Sequence, residues 1–306
     1  MVDMFPVLEA FAGRDRMWLA VEQARDSPPS VDVVVASCKS PLQWLWEYDF
    51  PPKTRILVYD KCNMGKDEFQ KQTAGLQGFA ATVEYRAVAE VDGSSMMTGE
   101  CTAYLAHVLR TLSGQGVADY TIFVHDDGPR HIRLAMLGLV TKALVSGTYK
   151  VPFLHLSHER YPSFRTPCLK EVYQRVFGEE LEGRLGTYCC SHFVVSRERI
   201  EAHDVGFYER LRDLVSDAPY SQDRGGSCKV STKPCYVMEF LWHRVFGEPA
   251  DMPPRAENGM LPLALRYEGG RASQLPSPLK VAPYMAVFQP GRYSRPPALN
   301  SLNGFH

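Results

Sequence analysis

His125, Asp126, Asp127 and His131 bring two imidazoles and two carboxylates together within seven residues. Adjacent carboxylates repel each other, and a divalent cation relieves that repulsion while polarising a phosphate leaving group. The spacing suits an oxygen-preferring ion, Mg²⁺ or Mn²⁺, on Asp126 and Asp127, with His125 or His131 completing or orienting the set. A solvated Asp-Asp-Gly-Pro turn explains the same residues, because aspartate favours turn geometry and Gly-Pro stops a strand. A second group is Glu239 and His243, four residues apart and therefore on one face of a helix expected from Cys235 to Phe246. Glu239 there could act as general base for an acceptor hydroxyl or as a metal ligand, and His243 could meet a metal or a diphosphate. A plain surface pair is the competing reading. Arg197 could pair with a phosphate, although Ser196 capping a helix start explains its neighbourhood more simply. Cys190 and His192 alternate on an expected strand and invite a thiol–imidazole nucleophile, but no third member accompanies them.

These residues need elements to hold them. Val31 to Ser37 is a β-branched run ended by a small polar residue, the pattern of a central parallel strand opening into a site. Ser40 to Trp46 reads as a short helix, and Arg55 to Asp60 as the second strand of a β-α-β unit. Ala81 to Tyr85 suggests a further strand. Tyr104, Leu105, Val108, Leu109 and Leu112 share one face of a helix, and Asp119 to His125 is the clearest strand of the chain. Its polar sequel, 126–131, falls where ligands bind in open α/β sheets. A helix over 132–145, a strand over 153–156, a helix near 169–177, a strand over 187–196 and a helix reaching Val215 complete the pattern.

The 306 residues are 45% apolar and 23% charged, which describes a folded soluble chain with a sizeable core. Thirty-four basic against thirty-five acidic residues exclude a general nucleic-acid binder, and no apolar run approaches the ~20 residues of a membrane span. The start lacks the basic flank of a signal peptide, so a full-length chain would be cytoplasmic; removal of an N-terminal anchor would instead suit a Golgi lumen. The spacing of the eight cysteines excludes zinc-ribbon and thioredoxin-like patterns, and reduced, partly buried thiols are expected. Three parts follow: an N-terminal helical extension over 1–30, an α/β domain over 31–250, and a Pro/Gly-rich arm over 251–306.

Val33 to Ser37 with Trp44 and Leu45, Val58 to Asp60, Gly99 and Glu100 with Ala103 to Leu105, Asp119 to His125, and His131 form an ordered series. It continues through Cys189 and Cys190, Phe193 to Ile200, and Glu239 to Gly247. The series resembles the family known as domain of unknown function 3431. The resemblance implies a single three-layer α/β/α sandwich with a mostly parallel sheet, similar to the glycosyltransferase type A architecture. It implies that Ser37 and Asp60 lie near a nucleotide, and that His125, Asp126 and Asp127 stand in place of a metal-binding Asp-x-Asp motif. Glu239 and His243 would face them from the acceptor side, and His243 or Arg197 would neutralise the leaving group. The implied function is transfer of a sugar from a nucleoside-diphosphate sugar, with Mn²⁺ or Mg²⁺, to a hydroxyl of a glycan, protein or small molecule. An inactive member of the fold, assembling with a protein partner through the 251–306 arm, is the alternative.

Overall fold

The computed structural model describes residues 28–38, 40–76, 82–88, 99–132, 134–145, 147, 149, 151–157, 160–164, 167–216 and 238–252. The expected N-terminal helix and, beyond Met252, the C-terminal arm lie outside them. Eight strands are present among the described residues: β1 Val31–Ser37, β2 Thr54–Asp60, β3 Thr82–Ala87, β4 Tyr120–His125, β5 Phe153–His155, β6 Arg160–Phe164, β7 Leu185–Tyr188 and β8 Phe193–Ser196. Six form the main sheet in the order β3-β2-β1-β4-β8-β5, while β6 and β7 pair separately. β3, β2, β1 and β4 run parallel, and β8 runs antiparallel to both β4 and β5.

Every residue of β1 is buried because both faces of the sheet are covered. Val31, Val33 and Val35 pack with Trp44, Ile122 and Met136 on one side, the last from helix α3 (Leu134–Val145). Val34 and Ala36 pack on the other side with Tyr104, Tyr208 and Trp242. Those three come from α2 (Cys101–Arg110), α6 (Val205–Ser216) and α7 (Trp242–Val245). Helices α1 (Lys66–Thr73), α4 (Pro167–Phe177) and α5 (Arg197–Ile200) complete the set. The result is an α/β sandwich with a mostly parallel central sheet.

The structure departs from the sequence reading at three places. The expected 187–196 strand is two strands, because Cys190 (φ 77°) and Ser191 (φ 48°) adopt left-handed backbone that turns the chain out of the small sheet and into the main one. The expected 235–246 helix is interrupted at Phe240 and Leu241, where the Leu241 N–H bonds the Met238 carbonyl at 2.9 Å. Finally, five cysteines expected as thiols are oxidised: Cys38 bonds Cys62, Cys189 bonds its neighbour Cys190, and Cys101 is also in a disulfide.

Candidate functional site

Parallel strands deliver their ends to one edge. Ser37 pairs in register with Asp60, and Ala36 with His125, so the loops after β1, β2 and β4 meet there. Two of the acidic residues at this edge organise loops. Asp60 accepts N–H bonds from Cys62 (3.0 Å), Met64 (2.9 Å) and Gly65 (3.0 Å), and an O–H bond from Tyr85 (2.8 Å). Burial alone would raise its pKa, but these donors hold it below the ordinary carboxylate value. Asp126 turns toward β1 and accepts bonds from the N–H groups of Cys38 (2.7 Å) and Ser40 (2.9 Å) and the Ser37 hydroxyl (3.3 Å). Burial raises its pKa against the pull of those N–H groups. The Cys38–Cys62 disulfide staples the two loops together. The Trp44 indole donates to the Asp126 carbonyl at 2.9 Å, and a methyl group at Gly128 would meet the Trp44 ring at 2.9 Å. The loop after β4 is therefore pinned from below.

Asp127 leaves the loop on a different side from Asp126, so the expected metal pair is divided. Its Oδ1 lies 3.7 Å from His125 Nδ1 and its Oδ2 3.3 Å from His131 Nε2. Burial would raise the Asp127 carboxyl, but the hydrogen bonds and charges of the two histidines outweigh it and hold the group well below the carboxylate range. Burial works against a charged His125, yet Asp127 and Glu100, whose Oε2 is 3.8 Å from His125 Nε2, raise its pKa. The His192 ring lies 4.2 Å from that of His125, and His192 Nδ1 accepts the His125 backbone N–H at 3.3 Å. Burial, then the charges of His125 and His131, pushes His192 well below its ordinary pKa. The Nε2 atoms of His125 and His192 are buried without hydrogen-bond partners.

Glu239 faces this cluster. Its Oε1 accepts the Cys190 N–H at 2.5 Å. Burial raises its pKa, Glu100 adds repulsion, and the Cys190 N–H opposes both. Tyr104 closes the inner wall by donating from its hydroxyl to the Ser191 carbonyl at 3.1 Å.

Two expected site residues lie elsewhere. His243 is fully buried, with Nδ1 3.1 Å from the Thr187 hydroxyl and Nε2 3.1 Å from the Ala250 carbonyl; it ties β7 to the segment after α7. The interruption at Phe240 and Leu241 removes it from the Glu239 face. Arg197 sits at the opposite edge of the sheet, because antiparallel β8 places Ser196 against Tyr120, the first residue of β4. Five residue steps along β4 separate it from His125, roughly 17 Å, and its guanidinium instead meets Asp119 at 3.3 Å. Sequence reasoning gave no role to Glu100 or Tyr104, and it assigned His192 to a straight strand. All three join the cluster through turns and burial that periodicity does not reveal.

Two imidazoles and a carboxylate are donor types that fit Mn²⁺ better than Mg²⁺, and the unpartnered His125 Nε2 leaves a nitrogen to offer. Asp127 gives one oxygen to each histidine, so as placed the three residues do not each bring a donor atom within 4.8 Å of the others. Chemically, the cluster combines a carboxylate held in its ionised form, an imidazole whose protonation is favoured and a carboxyl whose pKa is raised, which together suit binding of an anion–cation pair and transfer of a proton.

Among solved structures, the mannosyltransferase PcManGT from Pyrobaculum calidifontis, in complex with GDP-Man and Mn²⁺, is similar at 14% identity over 65% of this chain, with a TM-score of 0.30. The matched region spans about half of that protein, 54% of its chain. No curated protein matches. Residues 152–261, which supply β5 to β8, the vicinal cysteines and Glu239, match the family described as protein of unknown function (DUF3431).

Proposed function

We propose that this protein transfers a sugar from a nucleoside-diphosphate sugar to an acceptor hydroxyl. The observation that carries the reading is the grouping of Asp127, His125, His131 and Glu239 at the carboxyl edge of an open parallel sheet, the edge at which such sheets bind ligands. Asp127, with His125 and His131, would hold a divalent cation, Mn²⁺ in preference to Mg²⁺, only after side-chain movement brings their donor atoms together; bound there, the cation would neutralise diphosphate charge. Asp126 positions the loop that carries Asp127, and Asp60 shapes the 60–65 turn on the nucleotide side, next to Ser37. Glu239 takes the proton of the acceptor hydroxyl. Its raised pKa brings the carboxylate closer to the basicity that proton transfer near neutral pH requires. The acceptor oxygen then bonds to the anomeric carbon as the bond to the diphosphate breaks, and the diphosphate leaves with the electron pair of that bond.

Thermal-shift measurements with GDP- and UDP-sugars plus Mn²⁺ test the reading. A ligand at a hundred times its Kd adds about 2.7 kcal/mol to stability, or roughly 5–10 °C in Tm. The expected result is a rise of that size for one nucleotide class, lost in Asp127→Asn. No rise with any nucleotide would overturn the transferase and favour the non-catalytic alternative, an assembly subunit working through residues 251–306.

A further inference from the structure

The turn between β7 and β8 places three metal-binding side chains together. Sulfur atoms of Cys189 and Cys190 and a carboxylate oxygen of Glu239 all lie within 4.8 Å of one another, the one closed set of this kind among the described residues. Left-handed backbone at Cys190 and Ser191 sets the turn, and the Cys190 N–H bond to Glu239 fixes the carboxylate beside it. In the oxidised protein the disulfide occupies both sulfurs.

We propose that reduction of Cys189–Cys190 creates a site for a thiophilic divalent cation of the Zn²⁺ class, with two thiolates and Glu239 as ligands. A dithiol reductant supplies two electrons and two protons to the disulfide and itself becomes a disulfide; the two cysteine protons leave as the thiolates bind the cation. Two sulfur donors select against Mg²⁺ and Mn²⁺. Tetrahedral zinc holds its sulfurs about 2.3 Å away, hence roughly 3.8 Å from each other. Adjacent cysteines reach that separation by side-chain rotation once the S–S bond is gone. Three protein ligands leave a fourth position for water or an anion. Cys190 and Glu239 are partly exposed and give an ion its route in, while buried Cys189 has the Ser157 hydroxyl 3.3 Å from its sulfur as an orienting neighbour. The inference goes beyond the transferase reading: it shares Glu239 with it and needs no nucleotide.

Cobalt(II) titration of the full chain provides the test, before and after treatment with dithiothreitol and anaerobic removal of the reductant. The expected result is one Co²⁺ per reduced chain, with thiolate-to-cobalt charge-transfer absorption that Zn²⁺ abolishes, and no such absorption in the oxidised chain. Glu239→Gln should weaken binding about tenfold and keep the band, and the Cys38→Ser/Cys62→Ser variant should keep both. The inference is overturned if the reduced chain shows no band, or if Cys189→Ser/Cys190→Ser shows the same band, which would assign the signal to the other cysteines or to unfolded chain. Failure of nucleotide to shift Tm, with the band present, would remove the transferase reading and leave this one standing.

Discussion

At the amino edge of the main sheet, Asp32 is enclosed by the Arg55 guanidinium, with contacts of 2.7 and 2.6 Å, and by His107 at 3.4 Å, whose other ring nitrogen lies 3.2 Å from the Tyr59 hydroxyl. At the carboxyl edge, Asp127 also sits between basic groups, His125 and His131. Burial lowers the pKa of His107 against the pull of Asp32, and burial pushes Tyr59 up to about 12. Asp32 stays ionised because His107 and Arg55 outweigh the burial that would raise it. Around Asp127 the shifts diverge, with His125 raised, His192 depressed and Glu239 raised. The same residue types therefore give, at one edge, an aspartate answered by a guanidinium and an imidazole and, at the other, two carboxyls, Glu100 and Glu239, that repel each other beside their histidines.

Substitutions should separate the two edges. Glu239→Gln should lower sugar transfer about 100-fold or more while keeping the nucleotide thermal shift; loss of both together would mean that Glu239 only supports the turn at Cys190. Asp32→Ala leaves His107 and Arg55 without their anion and should cost about 3 kcal/mol, seen as a Tm lower by roughly 6–12 °C. A drop under 2 °C would show that the amino-edge network is dispensable.

Asp127→Asn should change how stability depends on pH. The depressed Asp127 contributes stability above its ordinary value of 3.8 and loses it as pH falls toward its lower folded value. The raised His125 contributes below its ordinary 6.5 and loses it as pH rises through its higher folded value. The wild type should thus exceed Asp127→Asn by about 1 kcal/mol near pH 5–6, with the gap narrowing toward pH 8 and below pH 4. The depressed His192 acts in the opposite sense to His125, and loss of Asp127, which pulls its pKa upward, would depress it further. A gap independent of pH in denaturation curves would break the ion network assigned here. Smallest of all, Arg197→Ala removes a half-exposed pair with Asp119 and should cost under about 1 kcal/mol, with nucleotide binding unchanged; weakened binding would return Arg197 to the site.

β1, β4 and α2 were legible in the sequence because buried β-branched runs and a one-sided apolar stripe leave clear periodic patterns. The loop after β4 was legible as a polar cluster at the carboxyl end of the strongest strand. The pairing of Asp126 with Asp127 was not, since nothing in the sequence says which aspartate folds back onto the β1 loop. Glu239 with His243 assumed an unbroken helix, and the turn at Phe240 and Leu241 carries no Gly or Pro to announce it. The division between β7 and β8 depends on positive φ at Cys190 and Ser191, residue types that seldom adopt it. Cysteine spacing likewise could not reveal that Cys38 meets Cys62, which only the side-by-side placement of β1 and β2 brings about.

The reversed direction of β8 has a consequence for how the chain tolerates change. In a wholly parallel sheet, segments that follow strands line the working rim and those that precede them lie at the far end. Inverting one strand exchanges those assignments locally, so 189–192, which leads into β8, joins the rim, and 197–204, which leaves it, is relegated to the base. Insertions of one or two residues should accordingly be harmful at 126–131 and 189–192 alike, and best absorbed at 201–204.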